Sequence, residues 1–257
     1  MTGSGWMAVA DGPHFVTCIM PRYLLAPHSY VCEVGGYGVF LDLKHDKYTA
    51  VTPEDMLTLR TSVEGWVGGQ RGCTNDDAST LLEGSVIDTL LQEGLLTGDR
   101  SSGRPATPPR LEEPTISTWE FPRPWPLITT RDLRNFIWSW ATTTLRLRAI
   151  PIRYVINRLR KGEFYQRRRS ASFDIENARR LTAIHFALQP AFYSAKDACL
   201  RNSLTLLEFL ATYDVYPTCV FGVTIEPFAA HAWLQHGPVV LTDPVDDVNR
   251  FTPIMVV

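Results

Sequence analysis

The sequence predicts an α+β fold in two parts: a small strand-hairpin-plus-helices module, then a larger domain with a helical first part and an antiparallel sheet. Three observations carry this. Tyr37 to Leu43 alternates apolar with polar or small residues, as a strand does. Long stretches between 131 and 211 repeat apolar residues at helical spacing. Three short apolar runs then crowd the last forty residues, parted by Pro227 and by Gly237-Pro238. Between the parts, Ser101 to Pro126 holds seven prolines, so the expected division is 1–100, a linker over 101–126, and 127–257.

Composition limits the function classes. With 257 residues, 45% hydrophobic and 20% charged, the chain can bury a core without disulfide staples. Its net charge of −2 gives no bulk attraction to nucleic acid. The cysteines, Cys18, Cys32, Cys73, Cys199 and Cys219, are odd in number and scattered, with no CxxC pair. That argues against a disulfide framework and a structural zinc, and a reducing cytoplasm is the simplest compartment. Met1 to Ala10 lacks the pattern of a signal peptide. The apolar run Asn135 to Leu145 ends at Arg146, too short to span a bilayer, so no transmembrane segment is expected and the run reads as a core helix or one at a partner surface. Charge is uneven: residues 1–100 carry 6 Lys/Arg against 13 Asp/Glu, and residues 131–180 carry 13 against 4. The second stretch is either a solvated helical face or a docking surface.

In the first part, the strand Tyr37 to Leu43 directs Val39, Leu41 and Leu43 to one face. His45-Asp46-Lys47 suits a hairpin turn, and Tyr48 to Val51 the returning strand. Thr52-Pro53-Glu54-Asp55 combines a hydroxyl cap, a proline at the first helical position and acids on the positive end of the dipole. Thr74 to Asp77 caps a second helix carrying Leu81 and Leu82. Val86, Ile87, Leu90 and Leu91 follow as a helical stripe, stopped by Gly94. Nothing here supplies a nucleophile, a metal cluster or a phosphate loop.

The chemistry lies in the second part. Residues 131 to 188 read as helix broken at Pro151, apolar on one side and Arg-rich on the other. Ser194 or Asp197 caps a further helix, whose Leu200, Leu204, Leu207 and Leu210 face the core and whose first turn holds Cys199. Backbone N–H groups and the positive helix end stabilise a thiolate there. A buried, inert cysteine is the plain alternative. Thr218 to Ile225 and Ala230 to Gln235 read as strands, and Val239 to Leu241 leads into Thr242-Asp243-Pro244. A helix with Cys199, a strand with His231 and a strand ending in Asp243 is the layout of a thiol-hydrolase triad. His231 would take the thiol proton and Asp243 would orient the ring. Trp233 shares the face of His231 and would shield the pair from water. The Cys199 N–H would serve the oxyanion.

Other candidates carry less. His231 and His236 lie on opposite strand faces, which argues against a zinc pair. His236 and the acids Asp246 and Asp247 read as solvated loop, His185 as a structural histidine, and Cys219 as core. No GxSxG, HExxH or Walker loop is present.

The run from Asp197 to Pro244, DACLRNSLTLLEFLATYDVYPTCVFGVTIEPFAAHAWLQHGPVVLTDP, resembles the transglutaminase-like B protein of lasso-peptide biosynthesis, a leader peptidase with a papain-like site. The shared features are the Cys-Leu…Ser-Leu helix start, Gly222-Val223, Pro227-Phe228, the Ala-His-Ala-Trp strand and the Asp after an apolar strand. Spacings of 32 and 12 residues separate Cys199, His231 and Asp243. Asn202 stands where that family often has Arg. Val39 to Glu54 and Leu90 to Leu96 resemble the PqqD-like precursor-recognition element that fused members carry.

The resemblance implies a cysteine peptidase that removes the leader from a lasso precursor. The leader would add as a strand to Tyr48, Thr49, Ala50 and Val51 and lie on Ile87, Leu90 and Leu91. No cofactor or metal is implied. The core would pass to an asparagine-synthetase-like cyclase, and any ATP requirement would come through that partner. A transglutaminase-type acyl transferase and a non-catalytic precursor-binding scaffold remain the alternatives.

Overall fold

A computed structural model describes residues 23–66, 86–119, 126–161, 173–193 and 199–257. The proposed caps at Thr74 to Asp77 and at Ser194 or Asp197 lie outside these residues, as do Leu81 and Leu82.

The first part is built on a three-stranded antiparallel sheet, β2 (Ser29–Val34), β3 (Tyr37–Asp42) and β4 (Lys47–Val51), in that order. The β3–β4 hairpin pairs Asp42 with Lys47 and turns through Asp46 at φ +53°. A left-handed aspartate is tolerated because its short side chain hydrogen-bonds locally. The strand β2 was not anticipated, since Ser29 to Val34 lacks clean alternation. At Pro53–Asp55 the chain makes a 3-10 turn that runs into α1 (Met56–Ser62). The Thr52 hydroxyl does not cap that turn's backbone; it donates to the Asp55 carboxylate at 3.1 Å. Helix α2 (Val86–Gln92) ends at Gly94, φ +72°, the left-handed stop its sequence predicts. Two-residue strands β1 (Leu24–Leu25) and β5 (Leu96–Thr97) pair beside it.

The strand pattern predicts one buried face, but both faces of this sheet are covered. Phe40, Val31 and Val51 pack with Leu59, Ile87 and Leu90. The opposite face, with Tyr30, Cys32, Val39 and Leu41, belongs to the same core as Phe136, Leu204, Phe221 and Ile254 of the second part. The apolar core therefore runs across residue 100. The Pro-rich segment is also not wholly linker: β6 (Ile116–Ser117) pairs parallel with β9 (Val239–Val240). Pairing of β6 completes a five-stranded sheet, β10-β7-β8-β9-β6, with β7 (Thr218–Ile225), β8 (Phe228–His236) and β10 (Thr252–Val256) antiparallel.

Helices α3 (Thr130–Ala149), α4 (Ile152–Lys161), α5 (Ile175–Leu188) and α6 (Cys199–Ala211) accompany this sheet. Helix α3 opens on a capping box between Thr129 and Asp132, and Asp132 also accepts from the Tyr213 hydroxyl at 2.5 Å. Its buried face is Phe136, Ser139 and Thr143. The apolar run expected to be core instead leaves Trp138 68% and Leu145 67% exposed, because small and aromatic residues, not the leucines, face α6. Pro151 separates α3 from α4 as its missing N–H demands. Asp246 and Asp247, expected in a loop, begin a short helix, α7 (Val245–Val248), where acids suit the positive end.

The shared core makes a stability prediction. Leu41→Ala, at a site 2% exposed on the side facing the second part, is expected to cost about 2–5 kcal/mol. Calorimetry should show one shifted unfolding transition for the whole chain, not a lowered first transition with the second unchanged.

Candidate active site

Cys199, His231 and Asp243 converge because α6 lies along β8. The Ser203 hydroxyl, one turn after Cys199, donates to the Ala232 carbonyl at 2.8 Å. The Ala232 and Leu200 N–H groups favour the charged form of the Cys199 sulfur. Leu204, Leu207 and Leu210 hold the other side of α6 in the core, as their spacing predicts. His231 Nε2 meets Asp243 Oδ1 at 3.2 Å, leaving Nδ1 for the thiol.

Asp243 is placed by a strap from the Pro-rich segment. Ser117 Oγ donates to the Asp243 carbonyl at 2.6 Å and accepts the Trp119 N–H at 3.0 Å. Thr118 Oγ1 donates to the Leu241 carbonyl at 3.0 Å, and the Trp119 indole donates to that of Thr242. From the other side, Thr242 Oγ1 accepts the Leu234 N–H at 3.1 Å. Sequence reasoning missed this strap. A two-residue parallel strand has no readable period, and proline content masks it.

Aromatic rings seal the dyad. Trp233, 1% exposed, lies nearly parallel to His231 with centroids 6.1 Å apart, and Phe251 stacks at 5.1 Å. Trp233 thus takes its predicted place, whereas Phe251 had no sequence signal. Room for the indole comes from Gly222, where a Cβ would sit 2.7 Å from the Trp233 ring.

The electrostatics favour a thiolate–imidazolium pair. The His231 hydrogen bond pulls the Cys199 pKa below that of an ordinary thiol against the cost of burial, helped by the two N–H groups. Burial opposes charge on His231, yet hydrogen bonds to Asp243 and Cys199 push its pKa up to about 9. In contrast, burial raises Cys219 and Cys32 to about 12, the inert behaviour predicted for Cys219. His185 is fully buried, with its pKa lowered to about 4 by burial, and its Nε2 lies 3.0 Å from Asn202 Oδ1. The Tyr193 hydroxyl donates to the same oxygen at 3.0 Å. Asn202 therefore belongs to a small polar cluster beneath the thiol. His236, expected in solvent, instead stacks on Phe173 at 3.7 Å and is half-buried.

Two cavities flank Cys199. One, of about 630 Å³, is lined by His231, Asp243, Trp119, Phe186, Tyr193 and Asn202. The other, of about 570 Å³, opens toward the β3–β4 turn and the α3–α4 junction. No group of three or more His, Cys, Asp or Glu side chains placed to hold a metal occurs among the described residues.

The peptide-binding residues divide. Tyr48, Thr49, Ala50 and Val51 form β4, which has β3 on one side and no second strand among the described residues. Ile87 and Leu90 are 3% and 1% exposed. This corrects the expectation that a peptide lies on them: they point into the core under Phe40. Leu91, the third of the residues expected to meet the peptide on this helix, keeps partial exposure, as does Val86. Tyr48 packs on Phe228 with centroids 5.6 Å apart and lies close enough to Cys199 to feel its charge.

A cysteine at a helix start, a histidine on β8 and an acid in the bend after β9 form an arrangement able to support papain-like thiol chemistry. Residues 141–256 match the family model of the Transglutaminase-like superfamily. Comparison with curated proteins and with solved structures gives no match. The matched segment holds α6 and the β7–β10 strands, including Cys199, His231 and Asp243, but not the strap. No helix among the described residues is long and apolar enough to cross a membrane.

Reactivity should follow these environments. Iodoacetamide at pH 7 is expected to label Cys199 before Cys32 or Cys219, as read by peptide mass mapping. In His231→Ala the Cys199 rate should fall at least about tenfold at pH 7. It should then climb toward an ordinary thiol pKa near 8.5, where the wild type is already flat. Ser117→Ala is expected to lower stability by about 1–2 kcal/mol in chemical denaturation, since it orphans buried partners.

Proposed function

We propose that the protein is a cysteine peptidase that removes the leader from a lasso-peptide precursor, with Cys199 as nucleophile, His231 as acid–base and Asp243 as the orienting group. The observation carrying this reading is the gathering of Cys199, His231 and Asp243 around one open cavity, with His231 Nε2 3.2 Å from Asp243 Oδ1. The Transglutaminase-like domain fits a cysteine peptidase or transferase in general. The lasso assignment rests on the residues of the Asp197 to Pro244 run and on the edge of β4, which no second strand covers among the described residues.

The Cys199 thiolate attacks the scissile carbonyl. The tetrahedral intermediate collapses as His231 gives its proton to the leaving nitrogen, breaking the C–N bond and leaving a thioester. Water then adds to the thioester while His231 takes its proton, and the sulfur departs as thiolate. Asp243 holds the ring in one orientation and stabilises its charge. A transglutaminase-type transfer would follow the same first half, with an amine in place of water.

The leader would pair with the edge of β4, at Tyr48 to Val51, with Leu91 as the remaining contact of the proposed helix. The product core would pass to an asparagine-synthetase-like cyclase, and ATP would enter through that partner alone. A cytoplasmic setting keeps the thiol reduced.

Mass spectrometry of a lasso precursor incubated with the protein, with and without the cyclase, tests this. Wild type is expected to give leader and free-acid core, and Cys199→Ala an intact precursor. Asp243→Asn should lose about 10²–10⁴ in kcat. Turnover should decline as pH rises above about 9, where His231 no longer holds the proton the leaving nitrogen needs. An amine-adducted product would convert the reading to transferase, and an intact precursor in every reaction would reject both.

A further inference from the structure

The cavity on the far side of Cys199 from His231 has a composition that the triad does not explain. Its walls include Lys44 from the β3–β4 turn, Arg148 from the end of α3 and Arg201 from the first turn of α6. Asp46 is the one acid in its lining among the described residues. Neighbouring arginines are ion-paired: Arg146 and Arg158 share Glu208, at 2.7 and 2.5 Å. Lys44, Arg148 and Arg201 make no ion pair among the described residues. Arg201 is held by its guanidinium lying 4.8 Å over the Tyr193 ring, with its Nε buried and without a hydrogen-bond partner. Three unpaired cations around one cleft repel one another unless an anion enters. Leu200, Ile150 and Pro151 give the same cleft apolar walls.

Chemistry assigns a direction to the two cavities. His231 must protonate the leaving nitrogen, so the product that leaves as an amine lies on the His231 side. His231 lines the aromatic cavity and not the basic one. The acyl-donating residues, those preceding the scissile bond, therefore lie in the basic cleft. The turn that supplies Lys44 and Asp46 leads directly into β4, so a strand on the β4 edge and the cleft are contiguous.

We propose that the cleft lined by Lys44, Arg148 and Arg201 is an acyl-side subsite that selects peptide substrates carrying carboxylate side chains within the few residues before the scissile bond. This rests on the peptidase reading for its direction, but the subsite binds its ligand whether or not hydrolysis follows. Charge-assisted bonds to carboxylates supply the selectivity, and Arg148 and Arg201 can each engage one bidentately.

A matched pair of fluorescent peptidyl chloromethyl ketones, identical except for Glu or Gln at the second and third residues from the warhead, tests this. Such compounds place their peptide on the acyl side of the thiol. Two readings are taken: the rate of Cys199 alkylation in wild type by intact mass, and equilibrium anisotropy with Cys199→Ala. The Glu compound is expected to react and bind about tenfold better at low salt. That ratio should shrink toward one in Arg148→Ala, in Lys44→Ala and in 0.5 M salt, where screening is strong. Equal binding of the two compounds overturns the subsite, even if both alkylate Cys199. Preferential binding of the Glu compound without alkylation upholds the subsite and counts against the hydrolase.

Discussion

The convergence of Cys199, His231 and Asp243 depends on the seam between α6 and β8. A helix start and a strand centre must be locked to within a fraction of an ångström for a thiol to meet an imidazole. A buried bond provides the lock: Ser203 grips the carbonyl of Ala232, the residue after His231. The leucine face of α6 presses the helix onto this seam from behind. The bond sets register, and burial supplies most of the free energy that maintains it.

The dyad works in a dry place, and dryness alone would suppress charge on both partners. Here geometry outweighs it. His231 faces a carboxylate on one nitrogen and a thiol on the other, and the rings of Trp233 and Phe251 keep water from screening either contact. The same burial without such partners gives the opposite outcome at Cys219, one strand away, and at His185. Reactivity is thus a property of partners and not of residue type.

Much of this was legible in the sequence, for a physical reason: strong periodicity and turn chemistry are local. The β7–β8 strands, the helix of Cys199, the β3–β4 hairpin and the Gly94 stop all follow from neighbours a few residues apart. The face shared by His231 and Trp233 follows from the two-residue strand period. What escaped is non-local. Phe40 and Val39 look like opposite faces of a half-exposed strand until a second layer covers both. Trp138 looks like core because its run is apolar, yet Phe136 and Ser139 take the inner face. Ser117 and Trp119 sit among prolines that read as tether. Ile87 and Leu90 show the helical spacing of a contact surface and of a core alike, and only packing tells which.

The strap has a consequence for where this enzyme-like unit begins. All three converging side chains lie within the matched segment 141–256, so a fragment cut there would contain the complete chemical inventory. It would lack the hydroxyl and indole that grip the backbone at Thr242 and Asp243. The carboxylate would then hang from a loop with one side unsupported. The smallest autonomous piece is set by backbone hydrogen bonds that cross some 120 residues of chain, and it starts upstream of Ile116, inside a stretch whose composition advertises nothing but flexibility.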